Sequence, residues 1–243
     1  MRESQAYPEA VICIPGIWKN RSELVERVAR DSGGYLFIGM LLMEMETRHT
    51  FELHFEDADP RMVIAFNAAG PHWRDSEEMS RIASHSSVVY LIGYGGSRTN
   101  AEALMAAAAA LIKAGGLGVK IESTGLAHSP SAWQGLVDTR HLLAAYRSYV
   151  ICLTGREQVY SCGMHNLGLR EAIVDAAVDD DALELIRRFT YYLFSESPSI
   201  RNGQTFALAP DAPVYRIFED DGIQYEDGSL FQNPYGAWRL EPA

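Results

Sequence analysis

Cys162 and His165 stand three apart in the run SCGMH, and a thiol with an imidazole is the pairing of a nucleophile and its base. That chemistry requires proximity in the fold and a third group to orient the ring. Sequence spacing supplies neither, so a strand cysteine beside a loop histidine is the plain reading. A second candidate is the turn Gly93-Tyr94-Gly95-Gly96-Ser97-Arg98, which follows an apolar β-branched run and precedes a helical pattern. With Glu122 closing the next strand, this is the order of a dinucleotide-binding turn, whose glycines admit a pyrophosphate while a distal acid holds a ribose. Arg98 occupies the third glycine position, however, and a helix starting at Thr99 loosens the turn. An ordinary glycine-rich strand-to-helix turn is the competing reading. The alternative function is a dinucleotide- or small-ligand-binding enzyme using Gly93–Arg98.

No nucleophile elbow, H-E-x-x-H, P-loop or EF-hand pattern occurs. His49 and His54 are five apart, which puts them on opposite faces of a continuous strand, and the other histidines are scattered singly. Neither a cofactor nor a metal is expected. The three cysteines, Cys13, Cys152 and Cys162, are odd in number and widely spaced, and each lies in a β-type run. They read as reduced, mostly buried thiols. MRESQAYPEA has no basic stretch leading into an apolar one, and the apolar run around 103–112 is too short for a membrane span, so a cytoplasmic location is expected.

The charge is uneven. The 243 residues carry −11 overall, yet residues 1–170 hold 18 acids against 16 bases while residues 171–243 hold 14 against 5. With only three lysines, direct nucleic-acid binding is disfavoured, and a basic protein partner fits better. The candidate contacts are Glu219, Asp220 and Asp221, then Glu226 and Asp227, with Tyr215, Tyr225, Phe231 and Tyr235 near them in sequence. Acids among aromatics suit a docking surface. Turn chemistry competes, since Asp221-Gly222 and Asp227-Gly228 are hairpin dipeptides. Asp179, Asp180 and Asp181 form a further cluster and also precede a helix whose positive end they complement. Glu44 and Glu46 are the third acidic candidate, on a strand face expected to be wet.

The elements that would place these residues can be read from periodicity. A strand at Ala10–Ile14 ends at Pro15-Gly16, and Asn20 with Glu23 opens a helix stopped by Gly33-Gly34. Residues 35–57 form antiparallel strands turning near Thr47–His49, with Leu41, Met43 and Met45 alternating against Leu42, Glu44 and Glu46. Helices start at Asp59-Pro60 and at Asp75 with Glu78. The stretch Ser87–Ser123 is the centre: a strand at Val88–Ile92, a helix capped by Thr99 and Glu102, and a strand at Leu117–Ile121, forming an α/β unit with its own core. Helices at Ser129-Pro130 and Leu142–Tyr146 follow. A hairpin turns at Gly155, a strand covers Ala172–Val174, a helix covers Ala182–Phe194, and four strands are placed at 205–208, 214–218, 223–225 and 237–240. The chain reads as one compact α+β unit over 1–243 with mixed and antiparallel sheets and packed helices, divisible into β-α-β-β-like lobes near 1–84 and 85–243.

Four runs in the second half, TGLAHSPSAW (124–133), CGMHNLGLREAIV (162–174), SPSIRNGQTF (197–206) and NPYGAWRL (233–240), occur in an order that resembles a bacterial family catalogued as a domain of unknown function. The likeness covers roughly residues 85–243, and VICIPGIWKNRSELVERV looks like the front half of the longer members. Some members are encoded beside secreted toxins, and in size and character the chain is similar to immunity proteins of type VI secretion systems. The resemblance implies an α+β fold, no established catalytic residues, and binding that masks a cognate toxin, a nuclease effector being the target that an acidic inhibitor suits.

Overall fold

A computed structural model describes residues 7–139, 141–176 and 181–243. Its centre is β1 (Glu9–Gly16), which is buried at every position after the first because helices cover both of its faces. Ile12 and Ile14 join the main core, while Cys13 on the opposite face joins a smaller cluster with Met62, Phe66, Trp73 and Ile82. Alternation along one strand therefore feeds two cores.

After β1 come α1 (Arg21–Asp31) and the meander β2 (Tyr35–Ile38), β3 (Leu41–Glu44) and β4 (Thr50–Asp57). Asn20 caps α1 by accepting the Glu23 amide, as the N-x-x-E spacing predicts. Next are α2 (Arg61–Ala68) and α3 (Glu77–Ala83). Asp75 does not cap α3; it sits at a left-handed φ of 57° and Ser76 takes the cap, accepting from Met79 N. β5 (Ser87–Tyr94), α4 (Arg98–Lys113), β6 (Val119–Ile121) and β7 (Ala127–His128) complete a seven-stranded sheet in the order β2-β3-β4-β5-β1-β6-β7.

The capping box expected at Thr99 and Glu102 is absent. Ser97, extended at φ −161°, accepts from Asn100 N, which leaves Thr99 inside the helix and Glu102 free to pair with Arg98 at 2.6 Å. Nor does this unit have a core of its own. β5 and β6 flank β1, antiparallel to it, so the crossover helix lies over a strand from elsewhere in the chain. Leu104, Ala108, Leu111 and Ile112 are buried as the periodicity requires, but so are Ala101, Met105, Ala107, Ala109 and Ala110. The alanines let a second layer approach closely. From that layer Tyr149, Trp133 and Gln134 donate to the carbonyls of Ala101, Met105 and Ala109, spaced four apart along one stripe of α4.

That layer consists of α5 (Pro130–Thr139) and α6 (Leu142–Tyr149), which lead into the second sheet. Here β8 (Ile151–Thr154), β9 (Gln158–Cys162), β10 (Glu171–Asp175), α7 (Ala182–Glu196), β11 (Thr205–Ala207), β12 (Val214–Asp220) and β13 (Ala237–Pro242) give the order β11-β12-β13-β10-β9-β8. The segment at 223–225 is not a strand. It belongs to a single connection, residues 221–236, that joins the antiparallel pair β12 and β13.

The fold is α+β, with two mostly antiparallel sheets and seven helices among the described residues. Both sheets repeat one plan: β1-α1-β2-β3-β4 in the first corresponds to β10-α7-β11-β12-β13 in the second. The expected division at residue 84 is not where the sheets part. β5 pairs with both β1 and β4, and the passage between sheets falls in α5 and α6. The main core draws on both, joining Ile12 and Leu91 to Val174, Phe189 and Leu240.

Candidate functional site

The second sheet is covered differently on its two faces. Val159 and Val174, paired across β9 and β10, join the core formed with Leu185, Ile186 and Phe189 of α7. On the other face Tyr160 and Ile173, also paired, lie beneath the 221–236 connection, together with Ile223, Tyr225 and Phe231. This connection acts as a strap. The cavity under it is about 20 Å³, room for no more than one water.

A buried carboxylate at the start of β10 fixes the strap. Glu171 Oε1 accepts from Gly163 N at 3.0 Å, Met164 N at 2.9 Å and Asn233 Nδ2 at 3.0 Å, and Oε2 accepts from Ser161 Oγ at 2.6 Å. His165 turns its Nδ1 to the same Oε1 at 3.4 Å. A carboxylate this enclosed survives because several donors replace its hydration. Asn233 also donates to Leu169 O and accepts from Tyr235 N, so it ties the strap's end to the β9–β10 connection.

The 3₁₀ turn Met164–Leu167 that supplies those amides is itself locked. Gly163 has φ 107°, and a Cβ there would stand 1.9 Å from the Tyr149 carbonyl oxygen. Asn166 donates to Ser123 Oγ and to Gly163 O. Three runs far apart in sequence, around 123, 161–171 and 233, thus meet in one polar cluster. Nothing in composition marked Glu171 or Asn233 as its centre. The available signal was the polar density of SCGMHNLGLRE and of NPYG, without a spacing rule that joins them.

The cluster is not a nucleophilic site. Cys162 Sγ points to Ser123 O at 3.5 Å while His165 faces Glu171, so no thiol–imidazole pair forms. Burial first and the Glu171 charge second push the Cys162 thiol up to about 12, which keeps it protonated at neutral pH. The glycine-rich turn does not form a cofactor cradle either. Gly95 N donates to Pro8 O and Gly96 N to His165 O. The Asn166 backbone lies 3.1 Å from where a Gly95 Cβ would be, so the space a pyrophosphate would need holds the Met164–Leu167 turn. Among the described residues no group of three or more His, Cys, Asp or Glu side chains is arranged to hold a metal. Nor is any helix among them long and apolar enough to cross a membrane.

The acidic candidates separate into distinct environments. Glu219, Asp220 and Asp221 line an open cleft of about 700 Å³ with Arg170, Gln224 and Tyr235. Within it Asp220 is structural: it pairs with Arg239 at 2.7 Å and accepts from Gly222 N at 2.8 Å. Glu219 is exposed and 3.9 Å from Arg170, whose guanidinium lies over the Trp238 ring. Asp221 is exposed, as are Glu226 and Asp227 farther along the strap. Tyr225 and Phe231 pack ring to ring at 5.7 Å and remain 36% and 38% exposed, and Glu226 and Asp227 follow Tyr225 directly in the chain. Burial, with the charges of Cys162, Tyr160 and Glu171 adding to it, pushes the Tyr225 phenol up to about 12. Tyr215, by contrast, is in the core.

The other acids are elsewhere. Glu44 and Glu46 do not share a wet strand face. β3 ends at Glu44, Glu46 lies in the following turn, and Glu44 accepts from the Thr47 hydroxyl. The parity is also shifted: Leu42 is buried against Phe51 while Leu41 is 47% exposed, which places Glu44 on the core side beside Tyr35. Burial and then Glu44 push the Tyr35 phenol up to about 12. Asp181 is the N-cap residue of α7, and its carbonyl accepts from Glu184 and Leu185. Asp179 and Asp180 lie outside the described residues. Comparison with family models, with curated proteins and with solved structures finds no match to this chain.

Proposed function

We propose that this chain is an immunity protein that binds a cognate secreted toxin and masks its active surface, the target being a basic nuclease effector of a type VI secretion system. One observation carries the reading. Asp221, Glu226 and Asp227 stand exposed on the same strap as the Tyr225–Phe231 pair, a strap that Asn233 and Glu171 hold in place, and Glu219 is exposed near the end of β12 that leads into it. Acids around an aromatic centre match the anatomy of a protein interface. Anchoring matters because a surface ordered before binding loses less entropy on association. A nuclease face shaped for phosphate presents Lys and Arg, and a cluster of carboxylates imitates its substrate's charge while steering encounter. The setting is the cytoplasm, where the toxin would meet nucleic acid.

The test is protection and capture. The product of a toxin gene adjacent to this one should co-purify with the chain, and cells producing both should survive. The variant Glu219→Gln, Asp221→Asn, Glu226→Gln, Asp227→Asn should stay folded, associate at least tenfold more slowly at low salt, and protect poorly. Capture that is unchanged in this variant and insensitive to salt would remove the strap from the interface. Failure of the native chain to bind or protect would end the immunity reading.

A further inference from the structure

On the far side of the second sheet the charge is reversed. An open groove of about 570 Å³ runs between α6 and α7 along β8, lined by Arg147, Arg187 and Arg188 with Tyr191 and Ile151. Arg187 and Arg188 share one carboxylate, Glu184, at 3.1 and 2.7 Å. Arg147 is exposed and has no ion-pair partner among the described residues. Three guanidinium groups against one carboxylate make a local excess of positive charge in a chain whose total is −11. β8 ends its sheet and, among the described residues, pairs only with β9. In an antiparallel pair alternate residues turn their N–H and C=O away from the partner, so this edge offers backbone groups in register for another strand.

We infer that the groove receives an extended, acidic peptide segment of a partner protein, which adds as a strand to the free edge of β8 while its carboxylates reach Arg147, Arg187 and Arg188. Strand addition draws affinity from main-chain hydrogen bonds and specificity from alternate side chains, the two features this groove combines. Arginine suits carboxylates because its planar fork binds both oxygens. A nucleic acid is a poor occupant, since three arginines do not overcome the repulsion of a strongly acidic chain for a phosphate polymer. The surface is distinct from the strap and opposite in sign, so the protein would hold two partners, or two parts of one partner, by complementary means.

The probe is a fluorescein-labelled decapeptide alternating threonine and glutamate, titrated into the full chain and followed by anisotropy, with backbone amide exchange at residues 151–154 as a second readout. The expected result is saturable binding and slowed exchange at β8. Arg147→Glu should weaken binding at least tenfold with an unchanged unfolding midpoint, Arg147→Lys should weaken it less because it keeps the charge and loses the fork, and neutralising the strap acids should change nothing. That last arm separates this inference from the toxin-binding reading. The inference is overturned if the peptide does not bind, if a lysine counterpart binds equally, or if methylating alternate peptide amides has no effect. Full displacement by millimolar inorganic phosphate would instead mark a small-anion site. Self-association that Arg147→Glu abolishes would assign the groove to a second copy of this chain. Should Arg147→Glu fail to fold, Arg147→Gln repeats the measurement with a smaller change.

Discussion

The two sheets share a plan and differ by one strand. In the first sheet β5 inserts between β4 and β1, and helices cover both faces of β1, so its central strand is apolar on each side. In the second sheet β13 returns directly beside β10, parallel to it, and one face of that strand meets the strap instead of a helix. The equivalent central strand therefore begins with a carboxylate, Glu171, and the strap above it is exposed and charged. The first sheet is a core element. The second has a strap in place of one helical cover, apolar where Ile223, Tyr225 and Phe231 meet the sheet and charged toward solvent, and that outer side is the one the proposed partner would meet.

Breaking that polar centre should have the largest effect. Glu171→Ala leaves Gly163 N, Met164 N and Asn233 Nδ2 facing a hole, and removing one side of a buried charged network costs about 3–5 kcal/mol. Urea unfolding should show the loss. Asn233→Ala removes one donor from the carboxylate and one tie of the strap, for about 1–3 kcal/mol. It should also speed amide exchange across 221–236 while leaving the first sheet protected. A uniform change in exchange would mean that the strap is held by something other than Asn233.

The apolar sheet offers a contrasting test near its edge. His128 on β7 packs against Trp133 at 5.2 Å and places Nε2 3.2 Å from Ser148 O. Burial holds its pKa below 6.5, partly offset by that hydrogen bond. A lowered folded pKa means that the unfolded chain binds the proton more readily. The stability this ring contributes is therefore complete above about pH 6.5 and is lost as pH falls from there toward the folded value. Between pH 7.5 and 5.5, His128→Gln should lose less stability than the native chain. Parallel loss in both would remove His128 from the acid sensitivity.

Element types were legible because local rules decided them. The N-x-x-E cap at Asn20, the glycine stop after α1, the Ser129-Pro130 helix start and the hairpin at Gly155 each depend on residues a few positions apart. The sequence is ambiguous where neighbouring residues offer the same chemistry, as with Ser97 against Thr99 and Ser76 against Asp75. Parity failed at Leu41-Leu42, where two adjacent leucines give no indication which faces inward. The polar cluster was illegible for a different reason. Ser123, Glu171 and Asn233 are brought together by strand pairing and by close glycine contacts, and no one-dimensional pattern encodes that distance. The acidic strap was visible as a charge excess, but composition did not separate Asp220, which is tied to Arg239, from its exposed neighbours.

That separation gives the smallest and sharpest effect. Asp220→Asn weakens the bond to the Arg239 guanidinium, which also reaches Asp175 at 3.2 Å, and it leaves the amide of Gly222 with a poorer acceptor. A half-buried pair of this kind is worth about 1 kcal/mol after solvent screening, so the unfolding midpoint should fall slightly. Glu219→Gln and Asp221→Asn change exposed residues and should alter stability by no more than about 0.5 kcal/mol. Binding should rank them the other way. Long-range attraction depends on charges that reach solvent, so the two exposed substitutions should slow association most at low salt and progressively less as the Debye length shortens from about 30 Å at 0.01 M to about 10 Å at 0.1 M. Stopped-flow association at several salt concentrations, set beside urea unfolding of the same variants, gives both orders. If stability and association rank the three acids identically, then Asp220 is part of the contact surface, and the division between a structural and a partner-facing carboxylate where β12 enters the strap is wrong.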